Sequence, residues 1–393
     1  MEDLIHSIRI IPTTRCNLKC SYCFVRRFKK RDMSESDLSQ ILRLYPRKQI
    51  IFTGGEPLLR FDLVKKAAST LRDLNKYPEI QIKTNGTILN KEILAFIKKF
   101  NIAIDLTLDG PPENHNIHRR FYDGSGSYNV IADNVMLLKK GGINVTINYV
   151  VTPDTVKNSA KNLLYLVKNF GVSTFFGYAY VQEMLSREDI DSFVREIISF
   201  SHCYLKERLY LIKTSIDPFD LIFLELLFSS RDESLRQRLL NPQCNFKKPC
   251  FFPNGDIHLC PASQLLQSKY RDKMIIGNLH KSKNIIDNEK LMFFNKNFTL
   301  YSWLKNPYLR RTNKLCYLRC HSGRSVLNRF ILDVKVREAI LLTFSAFLQK
   351  MPFAEIQFLR TFYKKRKNFI RNAKNPVRER SFLAGQKNDK EFL

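Results

Sequence analysis

Between residue 6 and about residue 180, short apolar runs alternate with stretches in which apolar positions recur every three or four residues. The first pattern predicts strands at 8–11, 49–53, 80–84, 103–108, 143–150 and 173–178. The second predicts amphipathic helices at 34–44, with Ser34 as N-cap, and at 61–75, 91–100, 128–140 and 154–170. Strands alternating with helices of this length give repeated βα units and a parallel sheet, here an α/β partial barrel of the (βα)6 kind. In such folds chemistry sits on the loops that leave the C-terminal ends of the strands. The chemically distinctive segments do follow strands: a cysteine loop after the first, Gly54–Pro57 after the second, Asn85-Gly86 after the third and Asp109–Pro112 after the fourth.

Beyond 186 the periodicity is helical to about 240. A region of 244–325 follows, poor in periodicity and rich in turn residues, as expected where bound metal rather than a large core holds the chain. A helical and increasingly basic tail closes the chain. The expected division is therefore a barrel at 1–185, a helical bridge at 186–243, a small cysteine-rich domain at 244–325 and a tail at 326–393. With Cys16 so near the first residue, no domain is expected ahead of the barrel.

Cys16, Cys20 and Cys23 stand at C-x3-C-x2-C spacing on the first loop, flanked by Tyr22 and Phe24. Three thiolates from one tight loop suit a 4Fe-4S cube and leave its fourth iron free to bind a small molecule. The competing readings are a zinc loop completed by His6, or buried free thiols. Downstream, Gly54-Gly55-Glu56-Pro57 combines glycines that permit close backbone approach with a carboxylate that can accept hydrogen bonds from an ammonium. Thr84-Asn85-Gly86 ends the third strand, where an ordinary Asn-Gly turn is the simpler reading. Thr107-Leu-Asp-Gly-Pro111, His115 and Arg119 end the fourth, and Asp109, His115 and Arg119 could equally form a structural polar network.

Together these segments resemble the radical S-adenosylmethionine (SAM) enzymes. The resemblance implies a radical SAM barrel in which Cys16, Cys20 and Cys23 hold the SAM-binding 4Fe-4S cluster. It also implies that Gly54, Gly55, Glu56 and Pro57 hold the methionine amine of SAM, with Thr84, Asn85 and Thr107 as further SAM contacts. The Asp-Gly-Pro…His…Arg block is similar to that of family members acting on peptides and proteins, with Thr107 in place of the usual serine. Reductive cleavage of SAM would call for a low-potential electron donor such as flavodoxin or ferredoxin.

A second set, Cys244, Cys250, Cys260, Cys316 and Cys320, follows, with a hairpin expected around Asn254-Gly255 that carries Cys250 and Cys260 on its strand ends. The spacing resembles the opening of the SPASM domain, an auxiliary-cluster module of radical SAM maturases. Only two cysteines stand in its second half, so one auxiliary 4Fe-4S cluster is expected, from Cys244, Cys250, Cys260 and Cys320, with Cys316 as spare or alternative ligand. Zinc is the competing occupant of these four thiolates. Cys203, in an apolar helical context, reads as a buried thiol. The chain also resembles anaerobic sulfatase maturases, whose catalytic aspartate directly follows the third of these cysteines. Here that position is Pro261, and Asp256 and His258 are the remaining local groups that could move a proton.

The formal net charge of +28 favours an anionic partner, and eight basic residues against Glu379 alone fall between 361 and 380. An acidic leader on a peptide or protein substrate would suit that run. Nucleic acid is the other polyanion, but the basic stretches lack the interleaved aromatics of stacking platforms. No apolar run reaches transmembrane length and the start lacks signal-peptide features, so a cytoplasmic chain with reduced cysteines is expected. The expected function is hydrogen-atom abstraction from a peptide or protein, giving a crosslink, thioether, epimer or oxidised residue. Formylglycine formation in a sulfatase is the enzymatic alternative, and RNA modification or a SAM-binding regulatory role are alternatives of other classes.

Overall fold

The computed structural model describes residues 5–74, 76, 78–178, 186–211, 216–217, 219, 222–223, 248–259, 275–281, 285–289, 292 and 323–361. Its centre is a parallel sheet: β1 (Ser7–Ile10), β2 (Gln49–Phe52), β3 (Ile80–Thr84), β4 (Ala103–Thr107), β5 (Val145–Val151), β6 (Ser173–Tyr178) and β7 (Ile216–Asp217), each beside the next. Register aligns apolar residues across the strands, Ile8 with Ile50, Ile50 with Ile80, Ile82 with Ile104 and Leu106 with Ile147. Helices cover the outer face: α1 (Glu35–Leu44), α2 (Phe61–Asp73), α3 (Lys91–Lys99), α4 (Pro112–His118), α5 (Tyr128–Lys140), α6 (Ser159–Phe170) and α7 (Arg187–Lys206).

Each helix shows why it forms. In α2 the buried Leu63, Val64, Ala67, Ala68 and Leu71 recur at helical spacing and make one apolar stripe against the sheet. Ser34 Oγ accepts from Asp37 N at 3.0 Å and Asn90 Oδ1 from Ile93 N at 2.8 Å, so side chains cap the starts of α1 and α3. Gly171, at φ 55°, ends α6 in the left-handed conformation that glycine adopts without strain.

Several elements depart from expectation. Residues 112–118, expected as loop, form α4, because Pro111 and Pro112 pre-set the backbone of a first turn. The helix expected at 154–170 begins with a separate 3-10 turn at Val156–Asn158. The bridge region adds β7 to the sheet through Thr174 and Ile216, so the parallel set has seven strands rather than six. The expected hairpin is present as β8 (Cys250–Phe251) and β9 (Asp256–His258), turning at Asn254-Gly255 with Gly255 at φ 82°. It continues to β10 (Ile275–Asn278), and β8 runs parallel to β1, pairing Arg9 with Cys250. One sheet of ten strands thereby joins the cysteine-rich region to the barrel.

The tail supplies α8 (Gly323–Lys350) and α9 (Phe353–Thr361). Phe344 of α8 is fully buried, its ring stacked on Tyr204 of α7 at 5.3 Å, and Lys335 meets Asp191 at 2.9 Å. This part of the tail is thus core. The basic run 364–380 lies outside the described residues. Among those residues no single helix is long and apolar enough to cross a membrane; only Ala339–Lys350 and Phe353–Thr361 taken together, bent by 120°, reach that length and composition.

Candidate active site

The cysteine loop leaves β1 and is clasped by three neighbouring loops. Thr13 Oγ1 donates to Asp32 at 2.6 Å and Thr14 Oγ1 to Lys29 O at 2.8 Å, tying its start to the segment that follows it. Lys19 N donates to Arg120 O and Ser21 N to His118 O, tying its far end to the turn after α4. His118 adds side-chain contacts, Nδ1 with Ser21 Oγ at 2.6 Å and Nε2 with Thr152 Oγ1 at 3.1 Å. Cys20 is buried and Cys16 and Cys23 are half-buried, sharing an apolar patch with Leu18, Tyr22, Phe121 and Val150. Burial pushes all three thiols up, and each would raise another further if ionised. No three His, Cys, Asp or Glu side chains among the described residues converge tightly enough for a single metal ion. A cube demands less convergence, because each thiolate bonds a different iron.

Gly54 and Gly55 serve the cysteine loop itself. A Cβ at Gly55 would fall 1.9 Å from Arg15 O, and one at Gly54 2.8 Å from Thr13 O. The contact is reinforced by Gly55 N donating to Thr13 O and Glu56 N to Arg15 O. Glu56 is fully buried, and its carboxylate accepts from Leu58 N at 3.0 Å, Thr84 Oγ1 at 2.8 Å and Asn85 N at 2.7 Å. Burial holds its pKa above the usual carboxylate range, opposed by these donors. Glu56 and Thr84 are therefore engaged with each other, and together they fix the second and third loops. Pro57 opens a 3-10 turn behind Glu56.

At the fourth loop a buried polar chain runs back to the cysteines. Tyr22 Oη donates to Asp109 Oδ2 at 2.6 Å, Arg119 Nη1 donates to Tyr22 Oη at 2.9 Å, and Asp109 Oδ1 accepts from Val150 N at 3.0 Å. Burial opposes the charge on Arg119, yet Tyr22, Cys20 and Asp109 hold it well above the ordinary arginine range. Its Nε and Nη2 are buried without a hydrogen-bond partner among the described residues. His115 accepts from Asp109 N through Nδ1 at 3.1 Å and meets Ser127 Oγ through Nε2, so it orients the loop rather than facing solvent. Thr107 is half-buried at the end of β4, beside Asn148 of β5. Asn148 Oδ1 is a second buried polar atom without a partner among the described residues. The strand pattern gave no hint of it, since a lone asparagine within a β-branched run carries no motif.

Burial and the Arg119 charge hold His115 well below the ordinary histidine range. Its native form is neutral, so the unfolded chain binds the extra proton first as pH falls below about 6.5, and stability drops in that interval. The melting temperature of the wild type should fall between pH 7 and pH 5. His115→Gln, neutral throughout, should flatten that part of the profile; equal slopes in thermal melts would contradict the assignment.

Of the second cysteine set, Cys250 lies fully buried on β8 with Arg9 Nη1 at 3.9 Å from its Sγ. Its cross-strand neighbour is His258. Cys244, Cys260, Cys316, Cys320 and Pro261 lie outside the described residues. Asp256 is engaged in the hairpin turn through Asn254 and Asn278, and His258 is buried against the Phe252 ring at 4.7 Å. Cys203 is half-buried on α7 rather than enclosed.

Residues 10–165 match the radical SAM superfamily. The chain carries a radical SAM domain. An uncharacterized protein of Methanocaldococcus jannaschii, MJ0907, is 28% identical over 304 residues, covering 72% of this chain and 92% of its own length. A cysteine-type anaerobic sulfatase-maturating enzyme of Clostridium novyi is 30% identical over 169 residues, 38% of this chain and 44% of that enzyme. The radical SAM cyclopropyl synthase TigE of Paramaledivibacter caminithermalis is 23% identical over 194 residues, 44% of this chain and 40% of the synthase. The chain thus spans less than half the length of these two enzymes. Among solved structures, native anSMEcpe with bound AdoMet has a TM-score of 0.65 at 21% identity, covering 88% of this chain and all of that one. This likeness establishes the fold, a partial radical SAM barrel followed by a separate C-terminal region. The radical SAM domain at 10–165 implies an iron–sulfur cluster and SAM.

Proposed function

We propose that Cys16, Cys20 and Cys23 ligate a 4Fe-4S cluster that binds SAM, and that the enzyme abstracts a hydrogen atom from a peptide or protein substrate. The observation that carries this reading is Arg119, a buried cation with two N–H donors unpartnered among the described residues, beside the loop that carries the three thiols. Buried guanidinium N–H groups left without acceptors are costly, and an anionic group in this site would remove that cost. The residues therefore fit the implied cofactors. When bound, the reduced cluster supplies the electron that cleaves SAM to methionine and a 5′-deoxyadenosyl radical. The chain's own task is positional. Tyr22, Asp109 and His118 hold the cysteine loop, Glu56 and Thr84 hold the two loops beside it, and Arg119 offers positive charge to the site. Thr107 and Asn148 present polar groups from β4 and β5 that could orient SAM or the substrate.

A peptide or protein substrate is favoured by the fold shared with anSMEcpe and by the sequence similarity to sulfatase-maturating enzymes. An auxiliary cluster held by Cys244, Cys250, Cys260 and Cys320 would accept the electron released when a product radical is oxidised. The basic run 364–380 would hold an acidic leader. Anaerobic assays with dithionite, SAM and perdeuterated peptides test the reading: deuterium should enter 5′-deoxyadenosine. Deuterium transfer from labelled tRNA and from none of the peptides would overturn it.

Arg119→Met should weaken SAM binding roughly 10- to 100-fold, as loss of hydrogen bonds to a charged group costs about 1.5–3 kcal/mol. Arg119→Lys should recover part of it. Equilibrium dialysis against labelled SAM measures both, and wild-type affinity in Arg119→Met would place the guanidinium outside the binding event.

A further inference from the structure

Asn85, expected from sequence as a SAM contact, is occupied in another way. Its Oδ1 accepts from Thr87 N at 2.9 Å and from Thr87 Oγ1 at 2.6 Å. A backbone N–H can only donate, so this contact fixes which end of the carboxamide is oxygen. Nδ2 therefore faces the other way. It donates to Asn17 Oδ1 at 2.7 Å and to Cys16 Sγ at 3.6 Å. Asn17 Nδ2 in turn donates to Thr87 Oγ1 at 2.8 Å, closing a ring of three side chains. Two acceptor positions and two N–H groups exhaust what an asparagine side chain can offer, and all four are engaged within the protein. Cys16 Sγ also receives Leu18 N at 3.5 Å, and Asn85 N is pinned by Glu56 Oε2.

We propose that Asn85 is a positioning residue that tunes the reduction potential of the cluster through its N–H···S hydrogen bond to Cys16. This rests on the reading that Cys16 is a cluster ligand. Hydrogen bonds to ligand sulfurs draw electron density from the metal centre and favour its reduced form, making the potential less negative. The ring through Thr87 and Asn17 holds the donor in place, so the amide need not reorganise when the electron arrives. The Gly-Gly-Glu-Pro loop belongs to the same device, because Glu56 fixes the Asn85 backbone from below.

The test is a potentiometric titration of anaerobically reconstituted full-length protein, without SAM, followed by electron paramagnetic resonance. The signal missing from a Cys16, Cys20, Cys23 triple alanine variant is assigned to this cluster. Asn85→Leu should keep the iron content and lower the reduced-to-oxidised ratio at the wild-type midpoint about tenfold, a shift of about 59 mV for a one-electron couple. Asn85→Asp keeps the oxygen facing Thr87 and loses the N–H facing Cys16, so it should shift the same way. If either variant fails to load iron, the other decides. A midpoint unchanged at full iron content overturns the tuning role while leaving the cluster assignment standing. A triple variant whose spectrum has lost none of the wild-type signals overturns the assignment itself, and the tuning role with it.

Discussion

Replacing Cys16, Cys20 and Cys23 together with alanine should abolish reductive formation of 5′-deoxyadenosine and remove about four of about eight irons per chain, four per cluster for two clusters. The loss should be complete because the loop offers no substitute ligand. Ser21 is held by His118, and the Tyr22 hydroxyl donates to Asp109 deep in the site. Fold should survive, since the loop is anchored by backbone and Thr13 contacts that the cysteines do not make. Iron analysis, circular dichroism and chromatography of the anaerobic reaction read the three outcomes separately. Undiminished product from a folded triple variant would remove the assignment, and an iron content near twelve in the wild type would mean a further cluster held by residues other than those named.

Gly55→Ala should be nearly as severe, although alanine is the smallest change available. The added methyl would lie 1.9 Å from Arg15 O and 2.9 Å from the Thr14 carbonyl carbon, and neither is the end of a flexible side chain. One of the two loops must move, and the cysteine loop has less regular structure to resist. The expected result is a folded barrel that reconstitutes with about half the wild-type iron and forms less than a tenth of the 5′-deoxyadenosine. Gly124→Ala is the control: its φ of +95° makes alanine strained, but nothing lies within 4 Å of the added methyl. It should cost about 1 kcal/mol of stability and leave iron loading unchanged. Equal iron contents in Gly55→Ala and wild type would show that the loops separate without disturbing the cysteines.

The alternation of apolar strands and amphipathic helices was enough to place β1 through β6 within a few residues, because each of these elements is specified by its own period. What the sequence concealed is non-local. β7 has two residues and no pattern of its own, and β8 joins β1 only because a segment some 240 residues later presents Phe251 O to Ile11 N. The site divides along the same line. Motif spacing marked Cys16, Glu56 and Asp109, since each follows a strand, and Arg119 through the Asp-Gly-Pro…His…Arg block. It did not show that Glu56 and Thr84 bind one another, that Asn85 faces Cys16, or that Tyr22 links Asp109 to Arg119. Those pairings depend on which loops the sheet order brings side by side. Asn148 escaped notice for a related reason: that its oxygen finds no partner among the described residues is a property of its surroundings, not of its neighbours in sequence.

The pairing of β8 with β1 also dictates an order of assembly during synthesis. Strand β1 leaves the ribosome well before β8, finds β2 some forty residues later, and then keeps one edge bare until residues 250 and 251 arrive. Until then the strand that leads into the cysteine loop presents unpaired backbone groups, which invite pairing with another chain. Arg9 faces that interval on the strand itself, a charge of the kind that discourages edge-to-edge association, and later it meets the carbonyl of Lys248. Nascent chains stalled before residue 248 should therefore aggregate more readily than those stalled just beyond the β8–β9 hairpin, and metal loading of the first loop is best timed to the arrival of its late-made neighbour.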